Sequence, residues 1–133
     1  MPNEIHDKYK TLLSNVQASA AAAAGVTSAG TKTEIDQTSG TSGSGCNRGI
    51  VTLKVTVAPS SVCYAELLIE GGNSSGSLSA PRVVGIFGNI QTTADTYQVS
   101  ITDLPKYFEL SWRPIGAGFT AALDFMPVVP EIQ

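Results

Sequence analysis

The sequence is poor in charged residues. Only 14% of its 133 residues are Asp, Glu, Lys or Arg, against about 25% in typical soluble domains. Its eight Lys and Arg are scattered and the formal net charge is −3, so no basic stripe exists that would bind nucleic acid. A lightly charged surface of this kind favours contacts with other protein surfaces.

Cysteines and long apolar runs are also scarce. Two cysteines, Cys46 and Cys63, exclude a disulfide framework. One bond between them is formally possible, but Cys63 lies in an apolar strand pattern that favours a buried free thiol. No run approaches the about 18 apolar residues of a membrane span. The start of the chain carries Glu4, His6 and Asp7 where a secretory signal needs an apolar core, so we expect synthesis in a cytoplasm and no membrane partner.

Groups for catalysis are few. His6 is the single histidine, so a Ser-His-Asp triad or a site with several imidazole ligands is not expected. The loop "GGNSSGS" lacks the Lys of a phosphate-binding loop. The remaining acids are interpreted as solvated residues on strands or as isolated loop residues, too dispersed for calcium: Glu66, Glu70, Glu109 and Asp124 on strands, and Asp36, Asp95 and Asp103 in loops. We therefore expect no enzyme, no cofactor and no metal.

Residues 1–45 differ in composition from the rest. Residues 2–24 predict a helix, because an early Pro is followed by acids and by an apolar stripe at helical spacing. The alanines at residues 20–24 prolong it, and Gly25 ends it. Residues 26–45, with "TSGTSGSG", predict an extended low-complexity arm. A single amphipathic helix must pack on something, so its stripe is the candidate partner-binding surface: Ile5, Tyr9, Leu12, Leu13 and Val16.

Residues 46–133 predict an antiparallel β-sandwich domain with no second helix. Apolar and polar residues alternate over six segments bounded by turn residues, at residues 49–59, 62–72, 82–89, 96–103, 106–114 and 118–130. In the first segment we expect Val55 and Val57 to share the inner face. The C-terminal "MPVVPEIQ" predicts an extended tail, since proline cannot pair fully in a sheet. The predicted core comprises Val51, Leu53, Leu67, Ile69, Val99, Ile101, Phe108, Leu110, Trp112, Leu123 and Phe125.

Two stretches suggest a family. "YAELLIEGGNSSGSLSAPRVV" and "TYQVSITDLPKYFELSWRPIGAGFTAALDF" resemble the small β-sandwich virion proteins of tailed bacteriophages. In these proteins a Gly-rich turn follows a strand, and a Pro-x-Tyr-x4-Trp strand leads through a second Gly-rich turn into the last strand. The resemblance covers residues 49–125 and leaves out the helix and the arm. Similar sandwiches occur in discoidin-like and other carbohydrate-binding modules, but "GGNSSGS" lacks the acid of their Asn-Asp-Gly turn.

The resemblance implies a non-enzymatic structural protein of a virus particle, assembled in the host cytoplasm. A capsid decoration or cement protein is favoured, in which the arm crosses joints between major capsid protein subunits and lattice display adds avidity. The alternative is a tail- or fibre-associated carbohydrate-binding module. Its candidate sugar platform is Tyr64, Tyr107 and Trp112. Trp112, however, alternates in phase with Phe108 and Leu110, which are predicted to face the core. The sequence leaves the oligomeric state open, with a homo-oligomer among the possibilities.

Overall fold

The computed structural model describes the backbone of residues 5–9, 12–37 and 48–132, and the side chains of residues 12–37 and 48–128. These ranges contain nine strands. None of the described residues forms a helix long and apolar enough to cross a membrane. The strands are β1 (Ile5–Tyr9), β2 (Leu13–Ala22), β3 (Ile35–Asp36), β4 (Arg48–Val57), β5 (Cys63–Gly72), β6 (Arg82–Ile90), β7 (Thr96–Thr102), β8 (Tyr107–Ile115) and β9 (Phe119–Ile132).

The strands form two antiparallel sheets. Sheet A has the order β1-β9-β4-β7, with β2 also paired to β9, and sheet B has the order β3-β8-β5-β6. β1 pairs with the C-terminal part of β9 and β2 with its N-terminal part. The two N-terminal strands therefore make up one edge of sheet A.

The topology is that of a jelly roll. The pairs β2-β9, β3-β8, β4-β7 and β5-β6 are nested around the β5-β6 connection, as if one long hairpin had been wrapped into two sheets. Wrapping adds the pairs β4-β9 and β5-β8. This arrangement of the eight strands from β2 to β9 in two sheets, to which β1 is added, is one solution to the problem of exposed sheet edges. The predicted antiparallel β-sandwich is confirmed, with a more specific topology.

The core lies between the sheets and contains the residues predicted from alternation. All eleven are buried except Val99, which is half-buried. Across the core, the rings of Phe108 and Phe125 meet edge to face at 5.5 Å. Gly49 makes room for Phe125, since a β-carbon at that position would lie 2.2 Å from the ring. The prediction for Val57 is wrong: it is 60% exposed, because the pairing of β4 with β9 shifts register after Val55.

The predicted N-terminal helix is wrong. Residues 5–9 and 13–22 form strands, and the alanines from Ala20 to Ala22 pair with residues 119–121 of β9. The physical reason is pairing with a strand that is distant in the sequence. β9 would otherwise present a long row of unpaired backbone groups at the edge of sheet A, and pairing these groups outweighs the modest helix preference of alanine.

The residues predicted as a C-terminal tail belong to β9, which runs to Ile132. Pro127 pairs with Gly49 of β4 on one side. On the other side it lies between the end of the β2 pairing, at Phe125, and the start of the β1 pairing, at Val128. Pro127 therefore lies within a paired strand and not in an extended tail.

Residues 25–37, within the predicted arm, close one side of the sandwich. The amide of Ser28 donates to the carbonyl of Trp112 in sheet B at 2.9 Å, and the amide of Thr33 donates to the carbonyl of Val16 in sheet A at 2.8 Å. Ile35 is buried in the core. This segment is thus tied to both sheets. The rest of the arm and the predicted domain boundary at Cys46 lie outside the described residues.

Candidate binding groove

A groove of about 380 Å³ lies on the outer face of sheet A. Its floor comes from alternate residues of β4 that point away from the core, and in the ladder Thr52 lies opposite both Gln98 of β7 and Asp124 of β9. Residues directly opposite in an antiparallel sheet share a face. The groove therefore combines side chains from three strands, with Leu12 contributed from the residue just before β2. Its lining is Leu12, Ile50, Thr52, Lys54, Thr96, Gln98, Asp124 and Met126.

Asp124 organises one end of the groove. It is buried, it accepts a hydrogen bond from the amide of Asn15 at 2.8 Å, and it lies 2.9 Å from the Lys54 ammonium. Lys54 also donates to the side-chain oxygen of Asn15 at 3.0 Å. Asn15 has a φ of 52°, a conformation that Asn tolerates better than most residues. The network fixes the entry of β2 against the groove, and it engages the Oδ1 oxygen of the carboxylate.

The predicted partner-binding stripe is not a single surface in the described side chains. Leu12 is 43% exposed and lines the groove. Leu13 is half-buried against the core, and Val16 is buried in it. Ile5 and Tyr9 lie in β1, and their side chains lie outside the described residues. Of the three described members, Leu12 alone is available to a partner.

The acids predicted on the outer faces of strands each have a basic neighbour. Glu66 accepts hydrogen bonds from Arg113, opposite it on β8, at 2.7 and 2.8 Å. Lys32 bridges Glu70 and Glu109, an opposed pair of like charges. Among the described residues, no three potential metal ligands come together. These carboxylates therefore link neighbouring strands.

The three aromatic residues considered for a sugar platform lie apart. Trp112 is buried in the core and stacks on Phe119, with ring centroids 4.7 Å apart. Tyr64 lies opposite Ile115 and Tyr107 opposite Gly72, so the two tyrosines are at opposite ends of the β5-β8 ladder, about 26 Å apart at the usual rise of a strand. They do not form one platform.

As predicted, Cys63 is a free, buried thiol, and Cys46 lies outside the described residues. Burial raises the pKa of the Cys63 thiol, and a backbone hydrogen bond with Ala117 opposes this shift in part. Because the thiolate is the nucleophile, we expect Cys63 to react with Ellman's reagent at pH 7 far more slowly in the folded protein than in denaturant. A Cys46→Ser variant isolates the signal of Cys63. Equal rates in the two states would show that the thiol is accessible.

The groove is not evident from the sequence. Ile50 and Met126 are the available signal, since both are apolar at positions where alternation places the outer face of a strand. They lie opposite each other in the β4-β9 ladder, but they are 76 residues apart in the sequence. Only the register of the two strands brings them together.

Comparison with protein-family models, with curated proteins and with solved structures finds no significant match. Function must therefore be inferred from the topology, from the groove and from the sequence pattern.

Proposed function

We propose that the protein is a non-enzymatic structural component of a virus particle, a capsid decoration or cement protein that binds the major capsid protein lattice. The observation that carries the proposal is the jelly-roll topology, an architecture shared by viral capsid domains and lectins. Fold alone does not determine function. The sequence resemblance to phage virion proteins and the low charge of the chain add independent support, and assembly would take place in the host cytoplasm.

The groove is the part of the described surface best suited to hold a capsid side chain or loop. Leu12, Ile50 and Met126 supply apolar contact, while Thr96 and Gln98 surround it with hydrogen-bonding groups. An apolar centre within a polar rim is the usual anatomy of a protein-protein contact. A single groove gives modest affinity, and repetition over a lattice multiplies it.

Leu12→Asp is expected to leave the fold intact and to abolish binding to the particle. The side chain is 43% exposed, so the fold tolerates the change, but a carboxylate would be buried without a partner when the groove is filled. The measurement is co-sedimentation of purified protein with particles of the virus whose genome encodes it, prepared without this protein.

The matched control is Val26→Asp. Val26 is 54% exposed and does not line the groove, so the same change of apolar residue to acid should leave binding unaltered. Normal occupancy of Leu12→Asp on particles would exclude the groove as the anchor. Failure of the wild-type protein to bind any such particle would remove the proposal itself.

A carbohydrate-binding module is the second candidate, favoured by a specific feature of the same groove. Gln98 donates to the hydroxyl of Thr52 at 3.4 Å, and Thr96 and Lys54 lie beside them. Hydroxyl, amide and ammonium groups converging in one cleft suit a saccharide. A glycan array probed with the full chain separates the two functions, because a cement protein should bind no glycan, and a sugar ligand should be lost in Thr52→Val.

A further inference from the structure

The strand β7 forms an unprotected edge of sheet A. Within the described residues its single strand neighbour is β4, and the two pair without a register shift from Thr96 to Thr102. The strand "TYQVSIT" contains no charged residue, proline or glycine. Natural proteins usually blunt such edges with charges, prolines or bulges.

The other edges differ from β7. β6 pairs with β5 through two register shifts, begins with Arg82, and has Asn89 at a φ of 53°. These features make it an irregular template for another strand. The opposite side of the sandwich is bridged by residues 25–37. A flat, neutral edge is therefore a distinguishing property of β7.

The sequence of β7 is symmetric about Val99 in its alternation of polar and apolar residues. If a second β7 pairs antiparallel with it across a two-fold axis at Val99, Thr96 lies opposite the partner's Thr102, Tyr97 opposite the partner's Ile101, and Gln98 opposite the partner's Ser100. These pairs are favourable across strands: two threonines, an aromatic with a β-branched side chain, and two hydrogen-bonding side chains. Within Thr96–Thr102 no like charges face each other in this register, and Asp95 and Asp103 lie just beyond the two ends of the strand.

Burial along β7 agrees with this pairing. Tyr97 and Val99 point toward the core but remain half-buried and pack against it from the edge. Added strands at this edge would cover them. Thr96, Gln98, Ser100 and Thr102 are exposed on the outer face, so nothing in the described structure blocks the approach.

The geometry points to a homodimer in which the β7 strands of two copies pair antiparallel and join the two A sheets into one. Such an isologous contact closes on itself and leaves no further edge at β7. The two-fold axis is perpendicular to the sheet, so both grooves face the same side, with Thr96 and Gln98 of each near the axis. A seven-residue contact is small, and the dimer is therefore weak. This inference does not depend on what the groove binds.

The test is sedimentation equilibrium of the full chain and of Gln98→Glu/Ser100→Glu. In the dimer this variant places glutamates opposite each other in both symmetry-related pairs. We expect the weight-average mass of the wild type to rise from 13.8 kDa toward about twice that value as the concentration approaches about 1 mM, the range of a weak contact. The variant should dissociate at least about tenfold more readily, since opposed like charges destabilise a ladder.

Two controls make the result specific. Ser60→Glu/Ser61→Glu adds the same charge at exposed residues between β4 and β5 and should dimerise normally. Gln98→Lys/Ser100→Lys should be monomeric alone and should form a heterodimer when mixed with the glutamate variant. A monomeric wild type at every concentration overturns the inference, and so does a dimer that the glutamates at residues 98 and 100 do not weaken.

Discussion

Trp112→Ala is expected to lower the free energy of unfolding by about 3 to 5 kcal/mol, the usual cost of removing a large aromatic side chain from a core. Trp112 is fully buried. It lies opposite Leu67 in sheet B and stacks on Phe119 of sheet A with an interplanar angle of 8°, so its loss opens a cavity where the sheets meet. Because it is the only tryptophan, denaturation should be followed by far-UV circular dichroism.

The matched control is Trp112→Phe. The smaller ring keeps most of the contact with Phe119 and removes the indole N–H, which has no hydrogen-bond partner in the described structure. A buried donor without an acceptor is costly, so its removal offsets part of the lost packing. We expect Trp112→Phe to lose less than half as much stability as Trp112→Ala. Equal denaturation midpoints for Trp112→Ala and the wild type would contradict the assignment of Trp112 to the core.

The strands after residue 48 could be predicted because each buries one face. Alternation from Val51 to Val55 and from Phe108 to Trp112 follows directly from the period of two along a strand. The predicted inward orientation of Val57 is wrong because alternation assumes an uninterrupted ladder. The register shift after Val55 turns the side chain of Val57 outward. Local pattern cannot report such a shift, since its cause lies in the pairing with β9.

The N-terminal region was mispredicted because local preference and tertiary pairing disagree there. Apolar residues at positions 12, 13 and 16 satisfy a helical period, but in the structure Val16 points into the core and Leu12 lines the groove. The side chains change from one face of sheet A to the other around Asn15. There the pairing of β2 with β9 is irregular and the backbone φ is positive. An irregular strand imitates a helical period over a few residues.

The groove was beyond sequence reasoning for a related reason. Its residues come from β4, β7, β9 and the residue just before β2, and no motif links them. The strand order of sheet A, which follows from the wrapping of the whole chain, places β4 between β7 and β9. The low number of charged residues did carry information, because half of the eight acids with described side chains are engaged by Lys32, Lys54 or Arg113.

Deletion of residues 1–37 is expected to abolish cooperative unfolding of the domain. The deletion removes β1, β2 and β3, together with the buried side chains of Val16 and Ile35. Losing a buried aliphatic side chain costs about 2 to 5 kcal/mol, and a domain of this size is stabilised by about 5 to 15 kcal/mol in all. The deletion also leaves the edge of β9 without the strands β1 and β2 that pair with it. We expect the fragment to show no sigmoidal transition in urea.

Two point variants separate this expectation from a general effect of truncation. Val16→Asp places a carboxylate in the core and should be strongly destabilising, whereas Ser19→Asp adds the same charge to the same strand at an exposed residue and should be close to neutral. If a fragment of residues 38–133 unfolded in urea with the same midpoint as the full chain, the N-terminal strands would be dispensable for folding. If instead the fragment and Val16→Asp both unfold, residues 13–36 act as part of the sandwich. Under the proposed function a partner would then bind a surface that the folded domain already presents, and in the described part of the chain the groove beside Leu12 combines apolar contact with hydrogen-bonding groups.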